Sequence, residues 1–223
     1  MDSIPVKNVD FELLKLKHPF SCILAGPSFS GKTTLVTNII NCLSEISTFE
    51  NIKINLLWIY GQQESISNIS FCQNINVLFD NVVPTDTYLK ENNINIVVID
   101  DLMSEACDDK ALAEFFTKKS HHMKFSVFLL IQNLFYKSRQ LRTISLNASY
   151  IIIMKNRRDL SQIDYIGRQL YPNNRRFFLD VYKDVTQYPF GYLLIDLKQT
   201  TPEEFRLRSN ITDRFRTIIY MEK

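Results

Sequence analysis

A chain of 223 residues, 45% hydrophobic and 22% charged, with 5 Gly and 7 Pro, has the composition of a globular protein and the length of one large α/β domain. That excludes a collagen-like repeat, a disulfide-stapled miniprotein and a long low-complexity tail, and no stretch supplies the ~18 uninterrupted apolar residues of a membrane span. The formal charge is only +2 but is unevenly divided: residues 1–110 hold 7 Lys against 14 Asp and Glu, and residues 111–223 hold 19 Lys and Arg against 10 acids.

A basic second half of this kind suits a polyanionic partner, with a solvated basic face as the plainer alternative. Cys22, Cys42, Cys72 and Cys107 show no C-x-x-C spacing and no histidine at metal-ligand distance. They read as reduced thiols, mostly in the core. The N-terminus carries no signal-peptide apolar region, so a soluble, intracellular protein with no membrane partner is expected. No repeat and no linker divides the chain, and one continuous domain is the default.

In chain order, apolar runs at Ser21–Ala25, Ile54–Tyr60, Asn76–Phe79, Ile94–Ile99, Phe125–Ile131, Tyr150–Met154 and Tyr192–Leu197 read as strands. Several are apolar on both faces, which belongs to a mostly parallel sheet covered by helices on both sides. Between them lie four helical stripes: Leu35, Val36, Ile39, Ile40 and Leu43; Leu112, Phe115 and Phe116; Leu160, Ile163, Ile166 and Leu170; Phe177, Phe178, Val181 and Tyr182. These are core and carry no chemistry.

After the first strand comes Gly26-Pro27-Ser28-Phe29-Ser30-Gly31-Lys32-Thr33, followed by Thr34 and a helical pattern. The string fits G-x-x-x-x-G-K-[ST] in the strand-loop-helix context that a phosphate-binding loop needs, and it arises by chance in on the order of one in a hundred chains this long. Backbone N–H groups of such a loop cradle the β-phosphate, Lys32 bridges β- and γ-phosphate oxygens, and Thr33 offers a hydroxyl to Mg²⁺. Phe29 occupies a position where a small residue is common, and is tolerable if its side chain points away from the phosphates.

Further on, the run Ile94 to Ile99 ends in Asp100 and Asp101. In the setting of a phosphate loop, Asp100 holds the metal's hydration shell and Asp101 polarises the attacking water. Phe125–Ile131 ends in Gln132 and Asn133, and a parallel sheet delivers its strand ends to the edge that holds the phosphate loop. Gln132 is thus a candidate γ-phosphate sensor. Arg139, Arg142, Arg157 and Arg158 flank the next strand, and Arg142 and Arg158 are the candidates for an arginine acting across a subunit boundary. His121-His122 has no third ligand nearby and reads as a solvated turn.

Together, GPSFSGKT, IVVIDD, FLLIQN, the stretch RTISLNASYIIIMKNRRDLSQIDYIGRQLYP and GYLLIDL resemble the FtsK-HerA superfamily of P-loop DNA-translocating ATPases. More narrowly, they resemble the genome-packaging ATPases of Polinton elements, adintoviruses and related double-stranded DNA viruses. The resemblance covers roughly residues 19–211. It implies a RecA-like P-loop ATPase domain over 21–211, between an N-terminal extension (1–20) packing on the sheet and a C-terminal tail (212–223). It further implies ATP and Mg²⁺, a homo-oligomeric ring, double-stranded DNA as the cargo, and a capsid or portal protein as a partner in an infected host cell. Many members carry Glu where this chain has Asp101, a shorter acid that requires a different water position. A small-molecule or nucleotide kinase is the competing enzyme class, since Arg157, Arg158, Arg168, Arg175 and Arg176 would furnish a lid. A guanine-specific N-K-x-D is absent, because Asn156 is followed by Arg157.

Overall fold

Period-two alternation decides which side of the central sheet each strand residue covers. The computed structural model describes residues 11–50, 53–61, 69–100, 110–134, 139–158, 160–213 and 215–222. Its strands are β1 (Ser21–Ala25), β2 (Ile54–Tyr60), β3 (Ile75–Asp80), β4 (Ile96–Asp100), β5 (Ser126–Ile131), β6 (Tyr150–Met154), β7 (Tyr192–Asp196), β8 (Leu207–Ser209) and β9 (Ile218–Tyr220). The helices are α1 (Lys32–Asn41), α2 (Leu43–Ile46), α3 (Asp86–Glu91), α4 (Lys110–Glu114), α5 (Ser120–His122), α6 (Arg139–Asn147), α7 (Ser161–Leu170) and α8 (Arg175–Val185), with a π-turn over Phe115–Lys119 joining α4 to α5.

The strands form one sheet in the order β3-β2-β4-β5-β1-β6-β7-β8-β9. The six strands from β3 to β6 are parallel, and β7, β8 and β9 continue antiparallel. In β1, Cys22 and Leu24 pack with Leu35, Val36, Ile39 and Ile40 of α1, whereas Ile23 and Ala25 face a second core built on Phe115, Phe116, Ile144, Ile166 and Phe178. Helices therefore cover both faces, and the architecture is the expected RecA-like one. No helix among the described residues is long and apolar enough to cross a membrane.

The seven expected strands are all present. β8 and β9 were not expected: three residues each, with Arg208 in the middle of β8, they give no apolar run for a sequence pattern to register. The cysteines also depart from expectation, since among the described residues Cys22 is buried, Cys42 is half-buried and Cys72 is exposed. His121 and His122 are both exposed, but they close the short helix α5 and do not form the expected turn.

Arg208 is 1% exposed and donates to Asp196 Oδ2 at 2.7 Å and to the Leu14 carbonyl, tying β8 to β7 and to the segment before β1. Burial pushes the Asp196 carboxyl up and the Arg208 guanidinium down, and the attraction between them opposes both shifts. With desolvation the larger effect at each partner, the intact pair adds little net stability, but breaking it strands a buried charge. Asp196→Ala is therefore expected to cost about 3–5 kcal/mol in urea unfolding, and the double variant Asp196→Leu/Arg208→Met to recover most of it. A cost below about 1 kcal/mol for Asp196→Ala would contradict this account of the pair.

Candidate nucleotide-binding site

β1, β4, β5 and β6 run in parallel, so their carboxyl ends open onto one edge of the sheet, the place where ligands bind in open α/β folds. Ala25 pairs with Ile131 on one side and Ile153 on the other, and Asp100 pairs with Leu130. Gln132, one residue past β5, thus stands between the loop that leaves β1 and the carboxylate that ends β4. The Gly26 N–H donates to the Ile131 carbonyl at 3.1 Å and fixes where that loop departs.

Two glycines shape the loop. A Cβ on Gly26 would lie 2.6 Å from Met154 Cβ, so only glycine lets the chain pass the end of β6. Gly31 precedes α1 with φ 93°, a left-handed conformation that glycine adopts without strain. Between them the Ser30 N–H donates to the Pro27 carbonyl at 3.2 Å, and the buried Ser30 hydroxyl has no hydrogen-bond partner among the described residues. Phe29 has φ 63° and is 100% exposed, so its ring stands clear of the loop.

Lys32, the first residue of α1, folds back over the loop, its Nζ donating to the carbonyls of Gly26 at 2.8 Å and Pro27 at 3.2 Å. α1 extends over ten residues and directs its free N–H groups and the positive end of its dipole at the loop. Lys32 adds a full positive charge beside them, and the enclosure suits a polyphosphate.

The Thr33 hydroxyl donates to Asp100 Oδ2 at 3.2 Å, and Asp100 is 3% exposed. A hydroxyl and a carboxylate oxygen this close are hard oxygen ligands suited to Mg²⁺, which binds through one or two protein groups and keeps several waters. No cluster of three or more His, Cys, Asp or Glu that would form an all-protein metal cage occurs among the described residues. Thr34 is exposed on the first turn of α1. Asp101 lies outside the described residues.

A small cleft lined by Gly26, Gln132, Leu134, Met154, Asn156 and Gln162 adjoins the loop. Asn156 and Gln162 were not anticipated. The available signal was position: Asn156 lies two residues past β6, on the edge where Gln132 lies one residue past β5. Asn156 is held there by Tyr182 of α8, whose hydroxyl accepts the Asn156 N–H at 2.9 Å and donates to the Met154 carbonyl at 3.1 Å. Arg158 is exposed two residues on, its N–H donating to Asn156 Oδ1 at 2.9 Å, and Arg142 is exposed on α6. Neither is shown touching the phosphate loop.

No protein-family model matches the chain, and no curated protein matches it either. Among solved structures, the chain is similar to the genome packaging NTPase B204 from Sulfolobus turreted icosahedral virus 2 in complex with sulfate. That match has a TM-score of 0.54 at 12% identity and covers 82% of this chain and 94% of the other. The same NTPase in complex with ATP-γS gives 0.51 at 11% identity, covering 86% and 96%. B204, the DNA-packaging ATPase from Sulfolobus Turreted Icosahedral Virus, gives 0.53 at 12% identity, covering 81% and 94%. At such identities the likeness is one of fold: this chain has the fold of P-loop packaging ATPases over most of its length.

Proposed function

We propose that the chain is an ATP-hydrolysing motor of the FtsK-HerA kind that moves double-stranded DNA, and that its setting is genome packaging in an infected host cell. The observation that carries the reading is the arrangement of Lys32, Thr33, Asp100 and Gln132 along one sheet edge, with the β5 strand inserted between the loop strand and the Asp100 strand. The Polinton- and adintovirus-like motifs and the fold of viral packaging ATPases point the same way.

In this reading the loop's backbone N–H groups and Lys32 hold the β- and γ-phosphates, and Thr33 and Asp100 would hold Mg²⁺, which when bound would supply charge neutralisation at the transferred phosphoryl group. Asp101, next along the chain, takes the proton of the attacking water, and Gln132 reports whether the γ-phosphate is in place. Hydrolysis requires that water be aligned while the phosphates are gripped; for a motor, the grip must also change when the γ-phosphate leaves. Gln132 is suited to transmit that change because it directly follows β5, which pairs with the loop strand β1 on one side and the Asp100 strand β4 on the other. A homo-oligomeric ring and a capsid or portal partner belong to the same proposal.

The basic second half makes Arg175, Arg176, Arg206, Arg208, Arg214 and Arg216 the sequence's candidates for contact with DNA phosphates. Arg208 is buried against Asp196 and is removed from that set. Arg206 is largely covered, pairing with Glu203 at 2.7 Å with its guanidinium 5.8 Å from the Tyr171 ring centroid. Arg175, Arg176 and Arg216 also pair with carboxylates, at 3.1, 3.8 and 3.5 Å, but these are exposed pairs of small net value, and phosphates can replace the carboxylates. Arg214 lies outside the described residues.

Duplex DNA is expected to stimulate phosphate release from ATP, and binding is expected to be nearly independent of sequence. It should weaken with salt at a log-log slope near −0.9 per phosphate neutralised. Titration of labelled duplexes at several salt concentrations, beside a phosphate-release assay, measures both. Absence of DNA binding, with phosphate passing to a small acceptor instead of water, would establish the kinase reading in its place.

A further inference from the structure

Two bulky residues with left-handed backbone flank Gly31: Phe29 within the loop, and Phe190 (φ 58°) in the turn between α8 and β7. A phenylalanine at positive φ is costly, and such strain persists only where the surroundings hold it. At Phe190 they do. Because β7 is antiparallel to β6, its first residue pairs with Met154, and the turn before it falls on the phosphate-loop edge. The Lys155 N–H donates to the Gly191 carbonyl at 3.0 Å, and Lys155 Nζ donates to the carbonyls of Gln187 at 3.1 Å and Tyr188 at 3.4 Å. A Cβ on Gly191 would lie 2.0 Å from the Val185 carbonyl oxygen, which confines that position to glycine.

The Phe190 ring rests on Gly31. A Cβ built there would lie 3.0 Å from its Cδ1, yet the residue is 66% exposed. Tyr188, two residues earlier, is 68% exposed. Burial of apolar surface does not account for a strained aromatic left mostly in water at this place. Phe29 is wholly exposed, with no protein surface behind its ring. Phe190 instead offers a ring fixed against the start of α1.

We propose that Phe190 is the stacking surface for the base of the bound nucleotide, with Tyr188 at its margin. The inference rests on the nucleotide-binding reading above and adds what holds the end of the ligand away from the phosphates. Stacking on an aromatic ring is tolerant of base identity, because every base has a π-face. Phe190 therefore contributes affinity for purine nucleoside triphosphates without choosing between adenine and guanine.

The test compares affinities of the full chain and its variants for ATP, GTP and inorganic tripolyphosphate in the presence of Mg²⁺. Phe190→Ala is expected to weaken ATP and GTP alike by roughly tenfold or more and to leave tripolyphosphate within twofold of the parent. Phe190→Tyr is expected to restore both nucleotides, and Phe190→Leu, apolar but without a π-face, is not. An unchanged ATP affinity in Phe190→Ala, with tripolyphosphate still bound, overturns the stacking role and leaves the phosphate site standing. Equal losses for all three ligands show that Phe190 only supports Gly31, which also overturns it. A parent chain that binds none of the three removes the nucleotide reading itself, and the inference with it.

Discussion

Lys32→Ala is expected to reduce ATP turnover to background, a loss of at least ~10²-fold, and to weaken nucleotide binding as well. Lys32 sets a full positive charge over the loop, with Nζ 2.8 and 3.2 Å from the Gly26 and Pro27 carbonyls. Its charge acts on ground-state phosphates and on charge that grows toward the transition state, so both binding and turnover depend on it. Asp101→Asn is expected to behave differently. It removes a proton acceptor and leaves the phosphate cradle unchanged, so binding persists while turnover falls. Phosphate release and equilibrium nucleotide binding, measured on the same preparations, separate the two effects. A Lys32→Ala protein that hydrolyses ATP at the parent rate would overturn the assignment of the loop.

The parts of this site legible in the sequence are those set by local chemistry. Gly26 and Gly31 bracket a turn that backbone sterics reserve for glycine, and Lys32 and Thr33 follow at fixed distance, so the string carries its own geometry. Asp100 was legible because an apolar strand ending in acid has few uses beside such a loop. What the sequence hides is set by tertiary placement. Arg208 reads as one more cation in a basic half, and only the antiparallel pairing of β8 with β7 reveals Asp196 beside it. Phe190 reads as a residue in a turn, and only the reversal of β7 against β6 brings it to Gly31. The strand order is hidden for the same reason: periodicity shows that β4 and β5 are buried on both faces, but not that β5 lies between β4 and β1.

Loss of a single arginine is expected to reduce turnover by up to ~10³-fold while preserving ATP binding, if that arginine completes the site of a neighbouring subunit. No arginine precedes Arg139, so neither the phosphate loop nor α1 supplies one. Among the described residues, Lys32 is a cation placed over the loop. A hydrolytic site that must also neutralise charge building on the γ-phosphate therefore has reason to borrow a guanidinium. Arg142 and Arg158 are both exposed and lie on either side of β6 in the chain; Arg158 follows the strand end that carries Asn156 into the cleft beside Gln132. Arg142→Ala and Arg158→Ala, each assayed for ATP binding and turnover, identify which one matters. Mixing the slow variant with Lys32→Ala then tests action in trans, because a mixed boundary pairs an intact phosphate loop with an intact arginine. Activity above the sum of the separate variants is the expected result. If neither variant slows turnover, the role is wrong for both. If one does, yet never complements in mixed rings that sizing shows to have formed, that arginine acts within its own subunit.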